Sequence, residues 1–294
     1  MSRRLTALLT ALVAAIGFAV FLPMTPASAA TCASAWNSSS VYTGGLVASY
    51  NGHNWSAKWW TQNETPGSAD VWSDQGACGD GGTVPPVDSD FVVSEAQFNQ
   101  MFPNRNSFYT YSGLTAALSA YPAFANTGSD TVKKQEAAAF LANVSHETGG
   151  LVYIVEQNTS NYPHYCDTSQ SYGCPAGTAS YYGRGPIQLS WNFNYKAAGD
   201  ALGIDLLDNP SLVETDAAVA WKTGLWYWNT QTGPGTMTPH NAMVNGAGFG
   251  QTIRSINGSI ECDGGNPAQV QSRIDSYQRF VQILGTTAGS NLSC

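Results

Sequence analysis

Charge is what this sequence has little of. Only 11% of its 294 residues are Asp, Glu, Lys or Arg, and 12 Lys and Arg against 20 Asp and Glu leave a net charge of −8. No basic cluster interrupts the chain, so it lacks the concentrated Lys and Arg with which a nucleic-acid binder grips phosphates. Histidine is scarce as well, four residues in all. His146-Glu147 is followed by Thr148, Gly149 and Gly150, so the second histidine of a zinc HExxH site is missing. No C-x-x-C pair offers thiolates, and neither a metal nor any other cofactor is expected. Ser190 has none of the flanking glycines of a nucleophile elbow. Gly183-x-Gly185 has no third glycine and no preceding strand, which excludes a dinucleotide site. No internal repeat is visible, and after the first 21 residues no run is long and apolar enough to cross a bilayer.

Residues 1–29 carry Arg3-Arg4, an apolar run from Leu5 to Phe21, Pro23, Pro26 and the small-residue site Ala27-Ser28-Ala29. That is the layout of an export signal, so the mature chain is expected to begin near Ala30, outside the cell and free of the membrane. Six cysteines in an exported chain suggest three disulfides, of which 15 connectivities exist. Spacing narrows the choice. Cys32 and Cys78 bracket a first module, Cys166 and Cys174 close a short loop, and Cys262 and Cys294 tie the tail to the body.

Three segments follow the signal. Residues 30–78 are rich in Trp, Ser, Gly and Asn, and the turn pair Asn51-Gly52 separates two strand-like runs, which predicts a hairpin in a small all-β module. Residues 79–89 are a Gly/Pro linker without periodicity. Residues 90–294 break into helix-forming stretches at 94–101, 111–120, 131–147, 192–202, 214–228 and 268–284, a mainly α domain. With 43% hydrophobic residues the chain can bury one sizeable core and a second small one.

Within the third segment, Ala137, Phe140, Leu141 and Val144 share a helix face, and Glu147 follows on nearly the same side. Its carboxyl should point toward packed structure at the negative end of the helix dipole. Both influences favour a retained proton, as a general acid requires. After the Gly149-Gly150 turn, Glu156 lies among Gln157, Asn158, Thr159 and Ser160, polar surroundings that suit an ionised base. Two carboxyls so divided point to glycosidic bond hydrolysis. Downstream, Gln188, Ser190, Asn192 and Asn194 recur at every second position and would form one polar row if the segment is extended, able to bond sugar hydroxyls and N-acetyl groups.

Aromatics reach 12% and outnumber charges, a balance that fits a neutral polymer bound through ring faces. Trp36, Trp55, Trp59, Trp60 and Trp72 crowd into the first module. Adjacent Trp59 and Trp60 would face opposite ways in a strand, unless a turn presents both. They are expected to be a sugar-stacking platform, and Trp36, Trp55 and Trp72 to be core.

Four separated motifs carry a resemblance: Asn106-Ser107-Phe108-Tyr109-Thr110-Tyr111; residues 142–150 with His146-Glu147-Thr148; residues 182–190; and Ile256-Asn257-Gly258-Ser259-Ile260-Glu261-Cys262. The stretch from Asp90 to Cys294 resembles the chitinases of glycoside hydrolase family 19, in their secreted bacterial form. This implies a lysozyme-like, bilobal α-rich domain and an inverting endochitinase acting on β-1,4-linked N-acetylglucosamine. By resemblance Glu147 is the general acid, Glu156 the base, and Ser190 helps hold the attacking water. Gln188, Asn194 and Asn257 correspond to substrate-binding positions, Glu261 and Arg273 to charged partners that tune the acid, and His146, Tyr182 and Lys222 to supporting positions. The long extra loops of the larger plant enzymes are missing, which suggests a shorter cleft. The first module is similar to chitin-binding modules of carbohydrate-binding families 5 and 12, in which a surface Trp pair lies on the polymer. A monomer acting on chitin and chito-oligosaccharides is the expectation. A peptidoglycan muramidase and a non-catalytic chitin-binding antifungal lectin are the competing readings.

Overall fold

The computed structural model describes residues 30–33, 36, 41–79 and 91–294; residues 1–29, expected to be an export signal, and positions 80–89 of the expected linker lie outside them. Two compact units divide at Val87 and Asp88.

The first unit is built on β1 (Ala30–Thr31), β2 (Val41–Tyr42), β3 (Val47–Tyr50), β4 (His53–Ala57), β5 (Thr61–Gln62) and β6 (Trp72–Gly79). One sheet has the order β1-β6-β4-β3, and β2 pairs with β5 beside it. Strands β3 and β4 form the expected hairpin, with Ala48 opposite Trp55 and Tyr50 opposite His53. Asn51 and Gly52 both take positive φ, 49° and 75°. That is the tight turn whose twist matches the paired strands, and these two residue types reach it at least cost. The core is small: Ala48, Ala57, Val71 and Trp72, flanked by Trp36, Tyr42 and Trp55. A bond between Cys32 and Cys78, 46 positions apart, supplements it. Closing a loop of that length removes about 4 kcal/mol of unfolded-chain entropy.

The second unit contains α1 (Glu95–Met101), α2 (Tyr111–Ala117), α3 (Asp130–Thr148), α4 (Asn192–Leu202), α5 (Leu212–Thr215), α6 (Ala217–Thr230), α7 (Pro239–Val244), α8 (Phe249–Glu261) and α9 (Pro267–Ile283). Where the sequence suggests one helix over 214–228 there are two. Asp216 leaves helical geometry and its carboxylate caps α6 by accepting from the Ala218 and Val219 amides. Helices α7 and α8 were not anticipated.

Helix α3 is the axis of this unit. The sequence suggests one apolar face, but every residue from 136 to 144 is buried, the signature of a helix enclosed on all sides. Its one buried acid, Glu136, accepts from the Ala125 amide and the Trp228 indole and pairs with His240. Ser129 caps the start of α3, and Gly149 ends it in the left-handed region at φ 61°.

Two hydrophobic clusters form. Phe140, Leu141, Trp221 and Trp228 belong to the larger; Tyr181, Leu189, Tyr195, Ala220 and Trp226 belong to the smaller. Helix α6 contributes side chains to both. The result is a mainly helical, two-lobed unit with α6 as the shared wall.

Candidate active site

A cavity of about 550 Å³ brings together side chains from α3, α4, α6, α8 and the segments between α3 and α4. Glu147 enters from the end of α3, Glu156 from the returning segment, Gln188 and Ser190 from the turn before α4, Asn194 from α4 and Asn257 from α8. These six are positions singled out in the sequence.

The segment before α4 is not extended, and this corrects the polar row. Arg184 and Leu189 exchange backbone hydrogen bonds of 3.1 and 2.9 Å around a turn, with Gln188 and Trp191 at positive φ of 51° and 76°. Bulky residues in that region are strained and persist only where their surroundings hold them. The Gln188 amide donates to the Gly185 carbonyl at 3.0 Å. Asn192 opens α4 and faces away from the cavity. It is buried, donating to the Asp167 and Gly173 carbonyls and accepting from the Asp167 amide, and so fastens the loop closed by Cys166–Cys174.

Behind Glu147 stands a buried ionic cluster. The Arg273 guanidinium donates through Nη2 to Glu147 Oε1 at 2.5 Å and to Glu261 Oε1 at 2.7 Å, through Nε to Glu261 Oε2 at 2.8 Å, and through Nη1 to Asn143 Oδ1 at 3.1 Å. Asn257 donates to Glu261 Oε1 at 2.7 Å. Burial of Glu261 works against its charge, yet the bonds from Arg273 and Asn257 hold its carboxyl below the usual range. Arg273 moves the opposite way, above its usual value: its burial is outweighed by Glu147 and Glu261. The local pattern surrounds Glu147 with apolar neighbours and a dipole, and only the family resemblance names Arg273 and Glu261 as its charged partners; in the structure the guanidinium bonds both carboxyls directly.

Glu156 is anchored differently from expectation. Gln157 bonds the Val155 carbonyl, and Asn158 bonds Ser160. Asn161 donates to Oε1 of the carboxylate at 2.7 Å, while Oε2 is buried with no hydrogen-bond partner among the described residues, the Tyr165 phenol lying nearby. The Glu156 amide donates to the Gly183 carbonyl at 2.8 Å, tying the segment to the turn before α4.

The supporting positions lie outside the cavity lining. His146 meets the Ser272 hydroxyl at 3.2 Å; burial first, and Arg273 second, push its imidazole below the usual value. Tyr182 donates to Glu214 and stacks on Tyr162, and Lys222 is half-buried on α6. Several lining residues were not singled out, Tyr165, Trp191, Tyr227 and Ile260 among them. Burial and the nearby Glu156 push the Tyr165 phenol up to about 12. Burial, then Glu147, does the same to Tyr227, whose hydroxyl donates to the Ser255 carbonyl at 2.9 Å. The WYW run of α6 was a sequence signal for Tyr227, since three successive rings cannot all enter one core.

In the first unit, the chain leaves β4 after Ala57, and Lys58 is fixed by its amide to the Val71 carbonyl and by its ammonium to the Asp70 carbonyl. Trp59 and Trp60 are thereby both exposed, at 56% and 60%. Gly44 packs under this bend, where a Cβ would meet the Lys58 carbonyl at 3.0 Å. The remaining cysteine pair, Cys262 and Cys294, is bonded beside Glu261.

Residues 92–294 match the family model for class I chitinases, glycoside hydrolase family 19, and residues 35–73 match carbohydrate-binding module family 5/12. The crystal structure of chitinase C from Streptomyces griseus is 77% identical, covering 90% of this chain and 100% of that one with a TM-score of 0.69. A bacterial family 19 chitinase structure is 85% identical, covering 69% of this chain and 100% of that one, also at 0.69. An endochitinase of Phaseolus vulgaris is 38% identical over 252 residues, 75% of each protein.

Proposed function

The chain belongs to glycoside hydrolase family 19, the class I chitinases, and we propose that it cleaves β-1,4-linked N-acetylglucosamine polymers with inversion, Glu147 as acid and Glu156 as base. The observation that carries this reading is the different company of two carboxyls lining one cavity: Arg273 on Glu147, Asn161 on Glu156.

Glu261 takes two of the Arg273 donors and balances its charge. A proton on Glu147 then leaves the Arg273, Glu261 and Glu147 cluster neutral, and that proton can pass to the glycosidic oxygen as the bond to the anomeric carbon breaks. On the opposite face of the sugar, Glu156 takes a proton from a water whose oxygen bonds to the anomeric carbon, with Ser190 helping to hold that water. Inversion requires a carboxyl separation of about 6.5–9.5 Å, room for the water. Solvent returns the proton from Glu156 to Glu147. Gln188, Asn194 and Asn257 face the cavity with amides suited to sugar hydroxyls and acetamido groups, while Trp59 and Trp60 on the first module suit the flat face of a sugar chain.

Three disulfides support action in an oxidising compartment outside the cell. The decisive experiment follows product anomers by NMR during hydrolysis of chitin hexamer. The α-anomer should appear first, and Glu147→Gln and Glu156→Gln should each lower kcat by about 100-fold to 10,000-fold. A β-anomer formed first would overturn inversion.

A further inference from the structure

Glu156 sits on a segment with no regular structure of its own, yet a base must stay within hydrogen-bond reach of its water to be useful. The 3-10 helix Thr159–Tyr165 meets that segment twice. Asn161 donates its amide to the carboxylate at 2.7 Å, and the Tyr162 hydroxyl donates to the Glu156 main-chain carbonyl at 2.9 Å.

The turn is itself held on two sides. Asn158 accepts from the Ser160 hydroxyl at 2.6 Å and opens the helix. The Tyr162 ring lies on the Tyr182 ring with centroids 3.6 Å apart and planes 12° from parallel. The Arg184 guanidinium lies 3.6 Å from the Tyr182 centroid, and is fixed there by the Glu214 carboxylate at 2.9 Å, the Ser180 carbonyl at 2.7 Å and the Tyr195 hydroxyl at 2.9 Å. Arg184 is buried, so the stack rests on a charge that packing immobilises. Tyr182, adjacent to the Gly183 whose carbonyl receives the Glu156 amide, therefore reaches Glu156 through Tyr162.

We propose that Asn161 and Tyr162 are positioning residues for Glu156, Asn161 orienting its carboxylate and Tyr162 fixing its main chain against the Tyr182 and Arg184 stack. The inference rests on the reading of Glu156 as the base. It assigns Tyr182 a place in a supporting column.

The test measures kcat, KM and pH profiles on soluble chito-oligosaccharides for Asn161→Ala, Tyr162→Phe, Tyr162→Ala and Glu156→Ala. Asn161→Ala should lower kcat at least tenfold with KM within twofold, and should move the acidic limb of kcat/KM to higher pH, because a carboxylate deprived of a donor takes a proton more readily. Tyr162→Phe keeps the stack and loses one bond, so its kcat should lie between those of wild type and Tyr162→Ala. A role in folding alone would lower the melting temperature and leave the acidic limb in place. Activity retained by Glu156→Ala would remove the reading underneath. An inactive Glu156→Ala beside wild-type kcat and acidic limb in Asn161→Ala and Tyr162→Phe would overturn this inference alone.

Discussion

Arg273 reaches Glu147 with the same nitrogen that it gives to Glu261, at 2.5 and 2.7 Å. The guanidinium is fully buried, so its charge is compensated by these two carboxyls or by nothing. Arg273→Ala should destabilise the helical unit by about 3–5 kcal/mol, since it leaves the buried Glu261 carboxylate without the guanidinium that pairs with it. Thermal unfolding of the variant checks the magnitude. Arg273→Lys should recover little, because an ammonium cannot reproduce the two-pronged contact with Glu261.

Acidification should weaken the fold in two stages. His146 titrates below its ordinary 6.5 in the folded state, chiefly through burial. The unfolded chain therefore binds the proton first, and stability falls as pH drops below about 6.5. Glu261 is held below 4.5 by Arg273 and Asn257 against the opposing effect of its burial. Its contribution is complete above about pH 4.5 and is lost as pH falls through the folded value. Denaturant unfolding at a series of pH values should show both stages, and His146→Gln should remove the upper one.

Trp59→Ala and Trp60→Ala should weaken binding to insoluble chitin without touching hydrolysis of short soluble oligomers. Each ring offers on the order of 100 Å² of apolar surface to a sugar, worth about 2.5 kcal/mol or tens-fold in affinity. Depletion assays on chitin beads beside hexamer kinetics separate the two effects. Equal loss in both would place these rings in the active fold.

Gly233→Ala should be among the costliest small substitutions in the helical unit. Gly233 has φ 49°, and an added Cβ would fall 1.9 Å from the Ser255 carbonyl oxygen and 2.5 Å from the Tyr227 hydroxyl. Overlap with backbone that α8 holds in place cannot be relieved by a side-chain rotation, so a loss of about 2–3 kcal/mol is expected, read as a lowered melting temperature. Because Tyr227 and Asn257 both line the cavity, kcat should fall even in the folded fraction.

Local chemistry was legible wherever one residue type has one good use. Asn51-Gly52 announced its hairpin, and the bounds of α3 fell within a residue because Gly149 can end a helix where few other residues can. Helix α8 was invisible for the opposite reason. It contains Gly250 and Gly258, poor helix formers, and departs from helical geometry at Asn257, φ −143°. Packing of Phe249 and Ile253 into the core maintains it. Gly250 is tolerated there because the tail passes so close that a Cβ would meet the Ser293 carbonyl.

The amino-acid order alone determined the small β module with its paired tryptophans, the helical body, and the two carboxyls at the end of one helix and nine positions beyond, since turns, caps and short spacings act between neighbours along the chain. The resemblance named Arg273 as a partner of the acid, but only the tertiary structure decided the contacts made with those carboxyls. Arg273 is 126 positions from Glu147, and Tyr182 comes under Tyr162 only when the turn before α4 closes on the Glu156 segment. Charge compensation and ring stacking act over a few ångströms of space, so residues far apart in sequence become partners only once burial has packed their elements together.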